Sequence, residues 1–128
     1  MDRPHMQSAL DRARGLGSAK AGVAAWWLER VTAIALVPLT LWFAASLIAL
    51  RAADYVTFVA WLSRPHATLL TVLLLIAMFT HLALGLQVVI EDYVHSWVRI
   101  PALMSARFAC IALGIAGILA TLRIAFGQ

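Results

Sequence analysis

One stretch of the chain, HLALGLQVVIEDYVHSW (residues 81–97), gathers a dense set of side chains able to do chemistry: His81, Gln87, Glu91, Asp92, Tyr93 and His95. An imidazole is a metal ligand or a proton carrier near neutral pH. Two adjacent carboxylates can orient a partner or relay protons, and a phenol beside them can donate a hydrogen bond to a carbonyl. The setting separates these groups. His81 lies deep in apolar sequence, whereas Glu91, Asp92, Tyr93 and His95 stand where that sequence ends. For the terminal cluster the bland reading is a solvated helix cap with an interfacial tyrosine. An ionisable group deep in a membrane is costly and usually functional, but a neutral histidine can also share a hydrogen bond with a neighbouring helix. Both readings of His81 stand at this point.

The elements that carry these residues are set by composition. The chain has 128 residues, 63% hydrophobic and 12% charged, with one Cys. Its mean hydropathy is +0.90. An ordinary soluble domain is about half apolar and about a quarter charged. Disorder and a disulfide-stapled secreted domain are excluded, and a water-soluble globule this small would expose too much apolar surface. The lipid bilayer is the natural solvent.

Three apolar runs, residues 31–50, 67–90 and 102–125, are each long enough to cross a hydrocarbon core, which takes about 20 helical residues. Helices satisfy their own backbone in lipid, so the expected fold is all-α, a single three-span membrane unit over residues 23–128 preceded by a polar tail, 1–22. Pro65 and Pro101 sit where a first-turn proline is tolerated, and Pro38 inside the first run is expected to kink it. Trp26 and Trp27 suit an interfacial belt. Arg51 and Arg64 flank the first loop.

The formal charge is +4, from ten Lys and Arg against six Asp and Glu. The basic residues are scattered through apolar sequence, which does not make a nucleic-acid face. Arg3, Arg12, Arg14, Lys20 and Arg30 instead collect before the first run, and basic residues gather on the cytoplasmic side. The expectation is a multi-pass protein of a bacterial cytoplasmic membrane with its N-terminus inside. Cys110 sits in an apolar run and reads as a packing residue.

On a helix, Leu70, Leu74, Ala77, Met78, His81, Gly85 and Val88 share one face. His81 is nine residues from Ile90, about 13–14 Å, which is close to the bilayer midplane. Gly85, one turn from His81, leaves space for a flat macrocycle or another backbone. A haem needs a membrane-buried imidazole with space beside it, and this face offers both. A second axial imidazole has to come from elsewhere. His66 is fifteen residues earlier, about 22 Å along the same helix, whereas two nitrogens bracketing one iron lie about 4 Å apart. His5 and His95 lie outside the runs. A bis-imidazole haem at His81 therefore implies a partner chain. If the helix continues, Asp92 falls on the His81 face about 16 Å away.

The run His81 to Trp97 resembles the H-x-x-x-G-x-x-x-x-x-x-D-Y signature of the hydrophobic membrane anchor subunit of succinate dehydrogenase, the D subunit. WWLERVTAIALVPLTLWF, with Arg30-Val31-Thr32-Ala33, is similar to that subunit's R-x-T-A segment. The H-R-x-T-G and H-x-x-x-G-x-R-H patterns of the sister C subunit are absent. The resemblance covers the chain after about residue 20. It implies half of a six-helix bundle, formed with a cytochrome b556-type C subunit and docked to an iron–sulfur subunit and a flavoprotein subunit. It also implies that His81 is the axial ligand of a shared haem b, with Gly85 packing beside it. Tyr93 is implied to hydrogen-bond ubiquinone with Asp92 as its neighbour, and Arg30 to stand near the haem propionates and the quinone pocket. The family assigns no role to His95, which reads as an interfacial residue able to tune proton uptake. Such a chain is not catalytic alone: it has no flavin motif and no Cys cluster for iron–sulfur ligation. The competing readings are the haem anchor of a fumarate reductase or other respiratory complex, and a cofactor-free structural bundle.

Overall fold

The computed structural model describes residues 19–127, with side chains from residue 22 onward. Arg3, Arg12, Arg14 and His5, and with them most of the expected 1–22 tail, lie outside the described residues. Four helices follow in order: α1 (Ala19–Ala49), α2 (Tyr55–Leu62), α3 (Pro65–Tyr93) and α4 (Arg99–Phe126). No strand occurs among the described residues. The all-α expectation holds, and α1, α3 and α4 are each long and apolar enough to cross a membrane.

α1, α3 and α4 are each longer than the apolar run that announced them. α1 begins well before residue 31, because the Ala-rich AKAGVAAWWLER segment favours helix and carries no breaker beyond Gly22. Pro38 sits inside α1, and the helix runs on through it. Pro65 opens α3, where its missing N–H has no helical partner to lose. Pro101 falls in the first turn of α4.

The segment between Arg51 and Arg64, read from sequence as a loop, contains α2. Asp54 caps it by accepting the Thr57 backbone N–H at 2.9 Å. That bonding, from the Thr57 side chain first and its backbone second, holds the Asp54 carboxyl below its ordinary range. The Thr68 hydroxyl of α3 donates to the Leu62 carbonyl at 2.6 Å, tying the end of α2 to the next helix. Trp61 stacks on Trp42 of α1 with ring centroids 5.9 Å apart. α2 thus closes over the end of the helices remote from Tyr93.

α3 is central. It packs against both α1 and α4, whereas no Cα of α1 comes within 8 Å of one in α4 among the described residues. Small residues set the α3–α4 contact: a Cβ on Gly114 would stand 3.3 Å from the Phe79 side chain, and one on Gly117 3.3 Å from Leu75. Cys110 is buried in α4, as a packing residue should be. Most other large apolar side chains face outward, among them Ile34, Val37, Leu41 and Ile48 along α1. In lipid such surface carries no penalty.

Candidate functional site

α3 runs without a break from Pro65 through Tyr93, so His66, His81, Gly85, Asp92 and Tyr93 are on one rigid rod. His81 is close to the middle of that helix. His66 stands at its opposite end from Tyr93 and cannot share an iron with His81. Continuity of the helix also sets Asp92 on the His81 face, about 16 Å along the axis.

His81 is half-buried against α1. Its Nδ1 lies 3.2 Å from the hydroxyl of Thr32, a side chain only 7% exposed. The same hydroxyl lies 2.8 Å from the Leu28 carbonyl and 3.0 Å from the Glu29 carbonyl. The shared hydrogen bond with a neighbouring helix, one of the two sequence readings of His81, is therefore present. It occupies one ring nitrogen only. Among the described residues Nε2 has no hydrogen-bond partner, and it is not shut away from its surroundings.

In the sequence Thr32 stands only as a letter of the R-x-T-A segment. A β-branched hydroxyl inside an apolar run at the head of a span was the available signal. Its pairing with His81 fixes the antiparallel register of α1 and α3.

Gly85 has open space where a Cβ would stand, with nothing within 4 Å. It is therefore not used to bring α1 or α4 close, unlike Gly114 and Gly117. Arg30 lies about three turns inside α1, and register places it about 3 Å from the His81 level towards the Tyr93 end. Its guanidinium leans back over Trp26, 5.3 Å from the ring centroid, towards that same end. Tyr93 is 83% exposed, and Asp92 and His95 are exposed beside it. Only part of the polar cluster is joined within the chain: Gln87 donates to Glu91 at 2.9 Å.

The residues fit a haem on one side. A haem iron takes one or two axial ligands from protein, so a single imidazole suffices here; no group of three metal-ligating side chains occurs among the described residues. Nε2 is without a hydrogen-bond partner among the described residues, the neighbouring glycine leaves space, and a guanidinium lies on the Tyr93 side, beside Trp26. Among the described residues nothing supplies the second side of such a site.

Three helices each long and apolar enough to cross a membrane, one of them carrying a mid-helix imidazole, define a multi-pass membrane subunit. The chain belongs to the succinate dehydrogenase/fumarate reductase transmembrane subunit family, which it matches over residues 4–121. It is 40% identical over 84 residues to the succinate dehydrogenase hydrophobic membrane anchor subunit of Rickettsia bellii (strain RML369-C), covering 65% of this chain and 66% of that protein. The subunit of the same name from Rickettsia conorii (strain ATCC VR-613 / Malish 7) is 32% identical over 84 residues, covering 65% of this chain and 67% of that protein. The match thus spans about two thirds of the relatives' own length. No solved structure matches the chain. The resemblance to the hydrophobic anchor subunit, rather than to its sister, is borne out.

Proposed function

We propose that the chain is the D-type anchor of a succinate:ubiquinone oxidoreductase, and that it holds one side of a haem b and one wall of a ubiquinone reduction site. The observation that carries this reading is His81: a mid-helix imidazole in an apolar span whose Nδ1 is engaged by Thr32 and whose Nε2 is free. When bound, the haem supplies an iron able to hold one electron within the membrane.

The work of this chain's own residues follows from their places. His81 would hold the haem iron through Nε2. Gly85 keeps the adjacent turn of α3 clear. Arg30 offers a planar guanidinium suited to a propionate carboxylate or to the quinone pocket. Tyr93, at headgroup depth, donates its phenol O–H to a quinone carbonyl. Asp92 orients that carbonyl's surroundings and passes protons from the aqueous side. The exposure of Tyr93 and Asp92 leaves the remaining walls to other subunits.

Those subunits are a cytochrome b556-type C subunit giving the second imidazole, an iron–sulfur subunit delivering electrons, and a flavoprotein subunit that oxidises succinate. The chain itself does none of that oxidation. Its place is a bacterial cytoplasmic membrane, N-terminus inside. A fumarate reductase anchor is the second reading, because the family spans both enzymes; the names of the two relatives favour the first.

The test is a pair of variants in the purified complex. His81→Leu is expected to abolish the low-spin bis-imidazole absorbance. Tyr93→Phe is expected to slow quinone reduction about tenfold or more, the loss of a hydrogen bond worth about 1.4 kcal/mol, with dye-linked succinate oxidation intact. An unchanged spectrum in the first removes the ligand assignment. Equal loss of both activities in the second reassigns Tyr93 to assembly.

A further inference from the structure

We propose that Thr32 is a positioning residue that fixes His81 as the Nδ1–H tautomer, which leaves Nε2 as the open donor nitrogen of the ring. Its consequence at iron rests on the haem reading above; the tautomer itself concerns this chain alone.

The Thr32 hydroxyl has one proton and three polar neighbours: the Leu28 carbonyl at 2.8 Å, the Glu29 carbonyl at 3.0 Å and His81 Nδ1 at 3.2 Å. A carbonyl oxygen only accepts. With the hydroxyl proton on the Leu28 carbonyl, shared with that of Glu29, a lone pair of Oγ1 faces the imidazole, so Nδ1 must carry a hydrogen and donate it. The opposite assignment turns the hydroxyl proton to Nδ1. It then sets the hydroxyl oxygen against two carbonyl oxygens with no hydrogen between them. At a position 7% exposed, water does not relieve that contact. The first assignment satisfies every group; the second leaves two short contacts unsatisfied.

A neutral imidazole carries one N–H, so the hydrogen on Nδ1 leaves Nε2 with its lone pair. The chain Leu28 carbonyl, Thr32 hydroxyl, His81 ring is polarised in one direction. A hydrogen bond donated from Nδ1–H directs electron density of the ring towards Nε2. Partners of this kind orient metal-binding histidines and tune the metal. A nitrogen richer in electron density favours the ferric over the ferrous ion, so the hydroxyl should hold the potential down.

The test compares wild type, Thr32→Val, which keeps the shape without the acceptor, and Thr32→Ser, which keeps the acceptor. The first readout is nitrogen-15 NMR of the full chain, labelled on histidine and placed in lipid vesicles without haem. His81→Leu identifies the His81 signal. Wild type and Thr32→Ser are expected to show the Nδ1–H form, and Thr32→Val a mixture with Nε2–H. A wild-type ring protonated at Nε2 overturns the proposal.

The second readout is the purified complex. Thr32→Val is expected to retain haem 10–100-fold less tightly, as loss of such a partner does. Its potential is expected to rise by about 59 mV for each tenfold loss of preference for the ferric ion. Thr32→Ser is expected to restore both. Identical affinity and potential in all three forms overturn the role of Thr32 at iron. A wild-type complex that holds no haem instead overturns the haem reading, and the NMR arm then decides the tautomer by itself.

Discussion

The two neighbours of α3 meet it with opposite chemistry. Against α4, Phe79 and Leu75 lie over Gly114 and Gly117, shape against shape. Against α1, the contact includes a buried hydroxyl bonded across to an imidazole. Helices in lipid gain nothing from hiding oily surface from one another, so they are held by close approach and by interhelical hydrogen bonds. One side of α3 uses the first means and the other adds the second. The α4 side is therefore a mount, sensitive to volume and indifferent to chemistry. On the α1 side an exchange of equal volume can still remove the working group.

Gly114→Leu breaks the comparison from the mount side. A side chain there overfills the contact with Phe79, which costs about 1–3 kcal/mol. The expected result is a lower thermal midpoint and assembly yield, with an unchanged haem spectrum per assembled complex. A changed spectrum would mean the two sides are not separable. The far end sharpens the contrast with a smaller effect. Thr68→Val removes the hydroxyl bonded to the Leu62 carbonyl, a loss of about 1 kcal/mol. It is expected to increase hydrogen exchange in α2 and leave quinone reduction alone.

The smallest effect is the pH response of the α2 cap. The Asp54 carboxyl is held below its ordinary range by Thr57. Its contribution is complete above that ordinary range and disappears as pH falls through the lowered value. A spin label at Val56 should therefore become more mobile in acid in the native chain. With Asp54→Asn, which caps without titrating, it should not. Equal acid mobility in both forms would assign the change to something other than the cap.

The crossings were legible because twenty consecutive apolar residues leave a chain no other solvent than lipid. His81 was legible because an imidazole there is expensive enough to need a reason. α2 was not: an eight-residue helix depends on one cap and on Trp61 meeting Trp42, and neither partner is visible to a reading of loop lengths. The start of α1 is not marked by the apolar run, because a helix need not stop where its greasy part stops. The pairing of Thr32 with His81 was also out of reach. The two residues are 49 positions apart, and only the packing of α1 on α3 says which turn faces which. The glycines divide the same way. Spacing alone does not distinguish Gly85, with open space beside it, from Gly114, filled by Phe79.

The separation of α1 from α4, with no Cα pair within 8 Å among the described residues, has a cellular consequence. Outward apolar residues such as Ile34 and Phe108 are left for another subunit to cover. A copy without that subunit would present them to any protease in the bilayer. Surplus copies are the ones left uncovered, so selective destruction of orphans would keep the supply of this chain in step with its companions without any control of transcription.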